Sequence, residues 1–308
     1  MTISIHRASA EERRQAHQNS HEAWGGDGSV NTYLESCFSS PRHNRAEWWV
    51  LTVDSKVASS LALHPLSFNH QGQTYSGFGI GSVHTQTIMR NRGYAMALCR
   101  ATMDAAIERG DKFGLLFSDV NPSYYARLGF EVCPHERFIC SDLPGVLEGG
   151  THCQLTPFEG SQNLDFLMQC YKNHHQSHQL RLSRDAAEWR FLLDANADLT
   201  FLKLCDKTGS ALGYCWVYED ESQIIPVEVI LNQPTLDMEV EAYRALAKFA
   251  VSRSILKFNG WQPPPSPMLK LFSVQTRPKG IPMLWAHPET KSTESLTADI
   301  RLYSSAYF

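Results

Sequence analysis

Two stretches of the chain hold residue types that can do chemistry together. The first is Val83-His84-Thr85-Gln86-Thr87-Ile88-Met89-Arg90-Asn91-Arg92-Gly93-Tyr94-Ala95, which joins the end of a β-rich run to the start of a helical one. A helix N-terminus presents unpaired N–H groups and the positive end of a dipole, so it suits a pyrophosphate. Gly93 lets the backbone approach such an anion, Ala95 keeps the first turn narrow, and Arg90 and Arg92 add charge. Taken alone, the two arginines also read as a solvated basic loop. The second stretch is Ser118-Asp119-Val120-Asn121-Pro122-Ser123-Tyr124-Tyr125-Ala126-Arg127-Leu128-Gly129-Phe130. It offers a carboxylate, an amide and a phenol beside a Gly-Phe turn. Tyr125 can serve a leaving group or pack the core. Adjacent helical residues face about 100° apart, and Tyr124 suits the core role better.

The surrounding pattern predicts the elements that hold these stretches. Ile3 to Arg7 reads as a strand, with helices over Ala10 to His21 and Tyr33 to Phe38. Trp48 to Val53, Val57 to Phe68 and Thr74 to Thr85 are β-rich. The turns between them, Asp54-Ser55 and Asn69-His70-Gln71-Gly72, make these runs an antiparallel meander. From Gly93 the period changes: Met96, Cys99, Met103 and Ile107 recur at helical spacing until Gly110 ends the helix. Phe113 to Phe117 is a short apolar strand, and Ser123 to Leu128 a helical turn or two. Ser141 to Gly150 is rich in turn formers and predicts a linker. Beyond it the element order restarts, with strands near Cys153–Leu155, Leu199–Cys205, Ala211–Tyr218 and Pro226–Leu231, and a helix over Met238 to Val251. The expectation is a mixed α/β fold of two similar units, 1–145 and 151–308.

An Arg-x-x-Gly-x-Ala that opens a helix, then a buried strand, then Asn and Tyr-x-x-x-Gly-Phe, resembles the GNAT acetyltransferase superfamily over roughly residues 3 to 140. The resemblance implies an acetyl-CoA-dependent N-acetyltransferase. Its fourth strand would bond the pantetheine amides through the backbone of Val83 and Thr85, flanking His84. The loop from Arg90 through Asn91, Arg92, Gly93 and Tyr94 to Ala95 would hold the pyrophosphate. Asn121 would bond the pantetheine arm, and Tyr125 would protonate the departing thiolate. A thiolate of pKa about 8.5 leaves more readily when a phenol delivers a hydrogen bond or proton. Many members carry a glutamate on the fourth strand to accept the amine's proton; the matching position here is Gly79. Asp119, His84, a water or the C-terminal carboxylate of Phe308 can substitute. The last follows from tandem relatives, the enhanced-intracellular-survival acetyltransferases, which end in phenylalanine and place that carboxylate in the active site. A counterpart of their third, sterol-carrier-like domain is not expected within these 308 residues.

Other signals carry less. Gly77-Phe78-Gly79-Ile80-Gly81 lies within a β run with no helix after it, so it is no dinucleotide fingerprint and instead marks a bulge or close approach. His174 and His178 share a helical face without a carboxylate at a matching step, and no metal is expected. The second unit has Leu231-Asn232-Gln233-Pro234-Thr235-Leu236-Asp237 where a cofactor loop would stand. It has no Arg-x-x-Gly, and carboxylates follow in the helix's first turn, so this unit is read as degenerate, completing a substrate pocket or an oligomer interface. Trp24, Tyr33, Trp48 and Trp49 can wall a substrate site or pack the core. With 43% hydrophobic residues the chain buries a core, and a net charge of −4 with pI near 6.3 argues against nucleic acid or an anionic membrane as partner. Eight dispersed cysteines without a Cys-x-x-Cys pair fit a reducing cytoplasm. The acceptor is expected to be a small-molecule or peptide amine. The rival reading is a non-catalytic acyl-CoA-binding sensor or scaffold, which would have no need of the Tyr125 phenol.

Overall fold

The computed structural model describes residues 1–220, 222–255, 257–261, 265–290 and 296–300. Phe308 therefore lies outside the described residues. The first half runs β1 (Ile3–Arg7), α1 (Ala10–Trp24), α2 (Val30–Ser39), α3 (Pro41–Arg45), β2 (Glu47–Val53), β3 (Lys56–His70), β4 (Gln73–Thr85), α4 (Tyr94–Glu108), β5 (Phe113–Ser118), α5 (Ser123–Ala126), β6 (Glu131–Val132) and β7 (Glu136–Cys140). The second half runs α6 (Leu143–Leu147), β8 (Gln154–Pro157), α7 (Leu164–His174), β9 (Leu180–Leu182), α8 (Ala186–Ala195), β10 (Thr200–Cys205), β11 (Ala211–Glu219), β12 (Gln223–Leu231), α9 (Leu236–Ser252), β13 (Lys257–Gly260), β14 (Phe272–Thr276) and β15 (Ile281–Ala286). This is the expected mixed α/β architecture with the element order repeated.

Local chemistry accounts for the main boundaries. Ser9 and Glu12 close a capping box at the start of α1. Asp54 and Ser55, both at positive φ, form the tight turn from β2 to β3. On α4 the buried stripe is Tyr94, Leu98, Cys99, Thr102, Met103 and Ala106, set on the sheet.

The strands form two sheets, ordered β1-β2-β3-β4-β5-β15-β6 (with β9 added on β3) and β14-β7-β13-β12-β11-β10-β8. The order shows a reciprocal exchange. β7 leaves the first sheet to pair antiparallel with β13 and β14, while β15 comes back to lie between β5 and β6. The divide expected between 145 and 151 is crossed in both directions. Apolar alternation says which face of a strand is buried but not which sheet receives it, so the exchange leaves no mark in the sequence pattern. Phe138 of β7 is fully buried in the second core, its ring 5.5 Å from that of Phe258 and 5.3 Å from that of Phe272. Within Ser141–Gly150, expected to be a linker, Leu143 and Val146 of α6 are buried in that same core. No helix among the described residues is long and apolar enough to cross a membrane.

Candidate active site

β4 and β5 run parallel and pair only from Gly77–Phe113 to Ile80–Leu116. They approach closely there: a Cβ on Gly77 would meet the carbonyl oxygen of Phe113, and one on Gly114 the ring of Phe78. This explains Gly77, the first glycine of the run that mimics a dinucleotide motif. Past Ile80 the ladder stops. β4 bulges on its other side, where Leu61 alone spans the gap between the Ala62–Gly81 and Ser60–His84 pairs, and Ser82 takes φ +50°. The bulge and the end of pairing open a wedge between the two strands.

The loop after β4 turns at the wedge. Asn91 and Gly93 both adopt positive φ, +62° and +79°. The first backbone bond of α4 runs from Ala97 N–H to the Gly93 carbonyl, so the N–H groups of Tyr94, Ala95 and Met96 lie ahead of it and point back along the loop. This is the arrangement that suits a pyrophosphate. The arginines differ from each other. Arg90 is exposed but braced, donating Nε to the Thr85 carbonyl at 3.0 Å and Nη2 to Glu22 Oε1 at 3.4 Å. Arg92 is exposed, its Nη2 3.5 Å from the Ile88 carbonyl. Glu22 also accepts from Thr87 N–H and Oγ1, and pairs with His84 Nε2 at 3.0 Å. Burial would raise the Glu22 carboxyl, but bonds from Thr87 and His84 outweigh it and hold the pKa below the usual range. Glu22 thus ties the end of α1 to the loop and occupies part of Arg90's charge.

A cleft of about 550 Å³ lies on the other side of the wedge. Ser82 and Val83 of β4 line it, together with Phe117, Asp119, Val120 and Tyr125 from the β5 side. Its far wall is α1 and α2, which contribute His17, Ser20, Trp24, Tyr33 and Cys37; His43 and Trp48 close the end. His84 and Thr85 do not line it. His84 is buried against Glu22 and the Trp24 ring, and the carbonyl of His84 accepts from Ser59 Oγ at 2.8 Å. Asn121 stands just after β5 with Oδ1 accepting the Ser123 N–H at 3.0 Å, a bond that does not use its amide donors.

Tyr125 is both core and cleft residue. It is only 8% exposed and its ring packs edge-on against Tyr124 at 5.0 Å, yet it lines the cleft and its hydroxyl makes no hydrogen bond with any described residue. Burial, with smaller contributions from Cys99, Tyr124 and Asp119, raises its pKa well above that of a free phenol, so the proton stays on. The sequence reading that gave the core role to Tyr124 is corrected here. Tyr124 is the less buried of the pair, with Arg127 over its ring, because the single turn of α5 points its second tyrosine into the sheet. Asp119 accepts the Gly280 N–H at 2.9 Å, so the turn before β15 helps to place a carboxylate in the first unit's cleft.

One cluster escaped sequence reasoning. His17, Cys37 and His43 come from α1, α2 and α3, and their ligand atoms lie within 4.8 Å of one another. Their spacing of twenty and six residues matches no metal motif; only the tertiary fold unites them. The Arg13 guanidinium sits beside them, its Nε 3.4 Å from His17 Nε2, and its charge opposes a divalent ion there. Burial, then His43 and Arg13, push His17 down to about 3, and burial with Arg13 also lowers His43. Both imidazoles are neutral at neutral pH. Of the aromatic residues named from sequence, Trp24, Tyr33 and Trp48 line the cleft, whereas Trp49 packs at the edge of the first core beneath Arg7.

Comparisons with known proteins agree with this geometry. Residues 4–133 match the family model described as an acetyltransferase (GNAT) domain. No curated protein sequence matches the chain. Among solved structures, a probable N-acyltransferase of unknown function from Enterococcus faecalis has a TM-score of 0.72 at 15% identity, covering 93% of this chain and 72% of that one. A tandem GNAT protein from the clavulanic acid biosynthesis pathway has a TM-score of 0.53 at 10% identity, over 95% of this chain and 100% of its own. Eis1 from Mycobacterium abscessus has a TM-score of 0.57 at 13% identity, over 92% and 73%. The wedge, the loop and the doubled sheet are thus paralleled in known proteins: residues 4–133 match the GNAT acetyltransferase domain model, and the fold of the chain as a whole is similar to that of tandem GNAT proteins.

Proposed function

We propose that the chain moves an acetyl group from acetyl-CoA to a primary amine by direct attack in the first unit's cleft. The observation that carries this is convergence. The Tyr125 hydroxyl, which bonds no described residue, the Asp119 carboxylate and the gap beyond Ile80 meet on one cleft. The pyrophosphate would rest on the N–H groups of the loop from Asn91 to Ala95, with Arg92 as the exposed cation and Arg90 as the brace that shapes the loop. Pantetheine would enter the gap between β4 and β5, pairing with the open edge at Val83 and with Asn121.

The amine, once neutral, attacks the thioester carbonyl. The C–N bond forms, the C–S bond breaks and the nitrogen gives up a proton to Asp119, directly or through a water. Asp119 is favoured over His84 because it lines the cleft while His84 is spent on Glu22. Tyr125 donates a hydrogen bond to the sulfur as charge develops. Its raised pKa keeps the proton on the phenol, so Tyr125 stabilises the leaving thiolate through this hydrogen bond without giving the proton up. All eight cysteines are free, which fits a reducing cytoplasm. The test is thiol release from acetyl-CoA with mass spectrometry of the acceptor: acetylated amine must appear with wild type and fall sharply with Tyr125→Phe. Undiminished acetyl-CoA binding with no acetylated product from any amine would leave a sensor instead.

A further inference from the structure

We infer that the acceptor is a small molecule with one primary amine on an aromatic or apolar body, and not a polycation. This rests on the acyl-transfer reading above and narrows it. The acceptor end of the cleft is walled by the rings of Trp24, Tyr33, Trp48 and Phe117, with Val120 at its rim. Trp24 is 48% exposed and Val120 53% exposed, so apolar surface is left uncovered where a substrate would enter. An aromatic body entering there would bury a large area and meet ring faces and edges.

The charges point the same way. Asp119 is the one carboxylate among the described residues that line the cleft, and it already accepts from Gly280. No lysine or arginine among the described residues lines it, and burial keeps both histidines neutral. Behind the wall, the Arg13 guanidinium lies 5.1 Å from the Phe38 ring and 5.8 Å from that of Trp48, adding positive potential. A polyamine or aminoglycoside would have to desolvate several ammonium groups with a single carboxylate to meet them. A lone ammonium can be met by the aromatic faces and Asp119 until it loses its proton. The cleft volume, about 550 Å³, is that of a small-molecule pocket, and α1 and α2 wall one side of it.

The experiment uses the full chain with acetyl-CoA and follows thiol release and acetylated product for 2-phenylethylamine, tryptamine, spermidine, kanamycin and a short peptide with a free N-terminus. Calorimetry of each amine on the CoA-loaded protein runs in parallel. The expected result is a kcat/KM for the aromatic amines at least tenfold above that for spermidine, kanamycin or peptide. Trp24→Ala should raise the KM for 2-phenylethylamine several-fold without changing acetyl-CoA affinity, and Trp24→Phe should restore most of it. A preference for a polycation or the peptide in turnover or in binding overturns the inference. Aromatic amines that bind without product formation overturn the acyl-transfer reading, and this one with it.

Discussion

β4 and β12 hold the same station in the two units, each the strand before a long helix, and they end in opposite surroundings. β4 ends in a cleft, with α1 and α2 standing off it, and the N–H groups at the start of α4 meet no side-chain cap. β12 ends in packed protein. Its Glu228 is fully buried, bonded to Arg184 at 2.6 Å and to the Tyr214 hydroxyl at 3.3 Å, and the Leu231 N–H donates to His174 Nδ1. Arg184 lies over the rings of Tyr171 and Trp189, so α7 and α8 fill the space that α1 and α2 leave open. Burial alone would lower the Arg184 pKa; Glu228 beside it more than reverses this and keeps the guanidinium charged. α9 is capped by its own Thr235 hydroxyl and carries Asp237 and Glu239 in its first turn. We propose that the second unit holds no cofactor, because its described residues fill the space beside β12 and its loop lacks an Arg-x-x-Gly. The same splayed strand serves as a site or as a core, according to what packs against it.

The largest effect should come from breaking that filling. Arg184→Met leaves Glu228 buried without its guanidinium and should cost about 3–5 kcal/mol, read as a shift in denaturant midpoint. Adding Glu228→Gln should recover most of the loss, since a neutral pair removes the uncompensated charge. A single variant within 1 kcal/mol of wild type (roughly the range of surface substitutions) would mean that the pair does not hold β12 in place. On the open side, Tyr125→Phe should lower turnover by about 10²-fold and leave acetyl-CoA affinity unchanged; equal turnover would reduce Tyr125 to packing.

Acid should separate the two regions next. His17 lies below the ordinary histidine value, at about 3, so an unfolded chain takes up the proton first. Its contribution is full above pH 6.5 and is lost as the pH falls toward 3. Between pH 7 and 5 the loss should be about 2 kcal/mol, and His17→Gln should remove that part of the slope. An unchanged slope would show that His17 is not the group titrating. The smallest effect is expected at the loop. Gly93 sits at φ +79° with nothing within 4 Å of an added Cβ, so Gly93→Val is opposed by backbone strain and not by a clash. That strain is roughly 1–2 kcal/mol, which should appear as about tenfold weaker acetyl-CoA binding.

The sequence carried what is local and missed what is long-range. Gly93, Asn121 and Tyr125 are legible because their types and spacing are set by one loop and one turn. The aromatic wall was legible as residue types only: Trp24 and Trp48 face the cleft while Trp49 does not, and alternation alone could not say which. Asp119 could be named, but its placement depends on Gly280, far along the chain. The meeting of His17, Cys37 and His43, the partnership of Glu22 with the loop, and the exchange of β7 for β15 are all products of packing between distant segments. None of them leaves a periodicity to read.

The most direct test of the account is calorimetric titration of the full chain with acetyl-CoA. One site per chain is expected, weakened about tenfold by Gly93→Val and untouched by Leu236→Ala at the start of α9. Two equivalent sites per chain, or one whose affinity is unchanged by Gly93→Val and lost with Leu236→Ala, would contradict it.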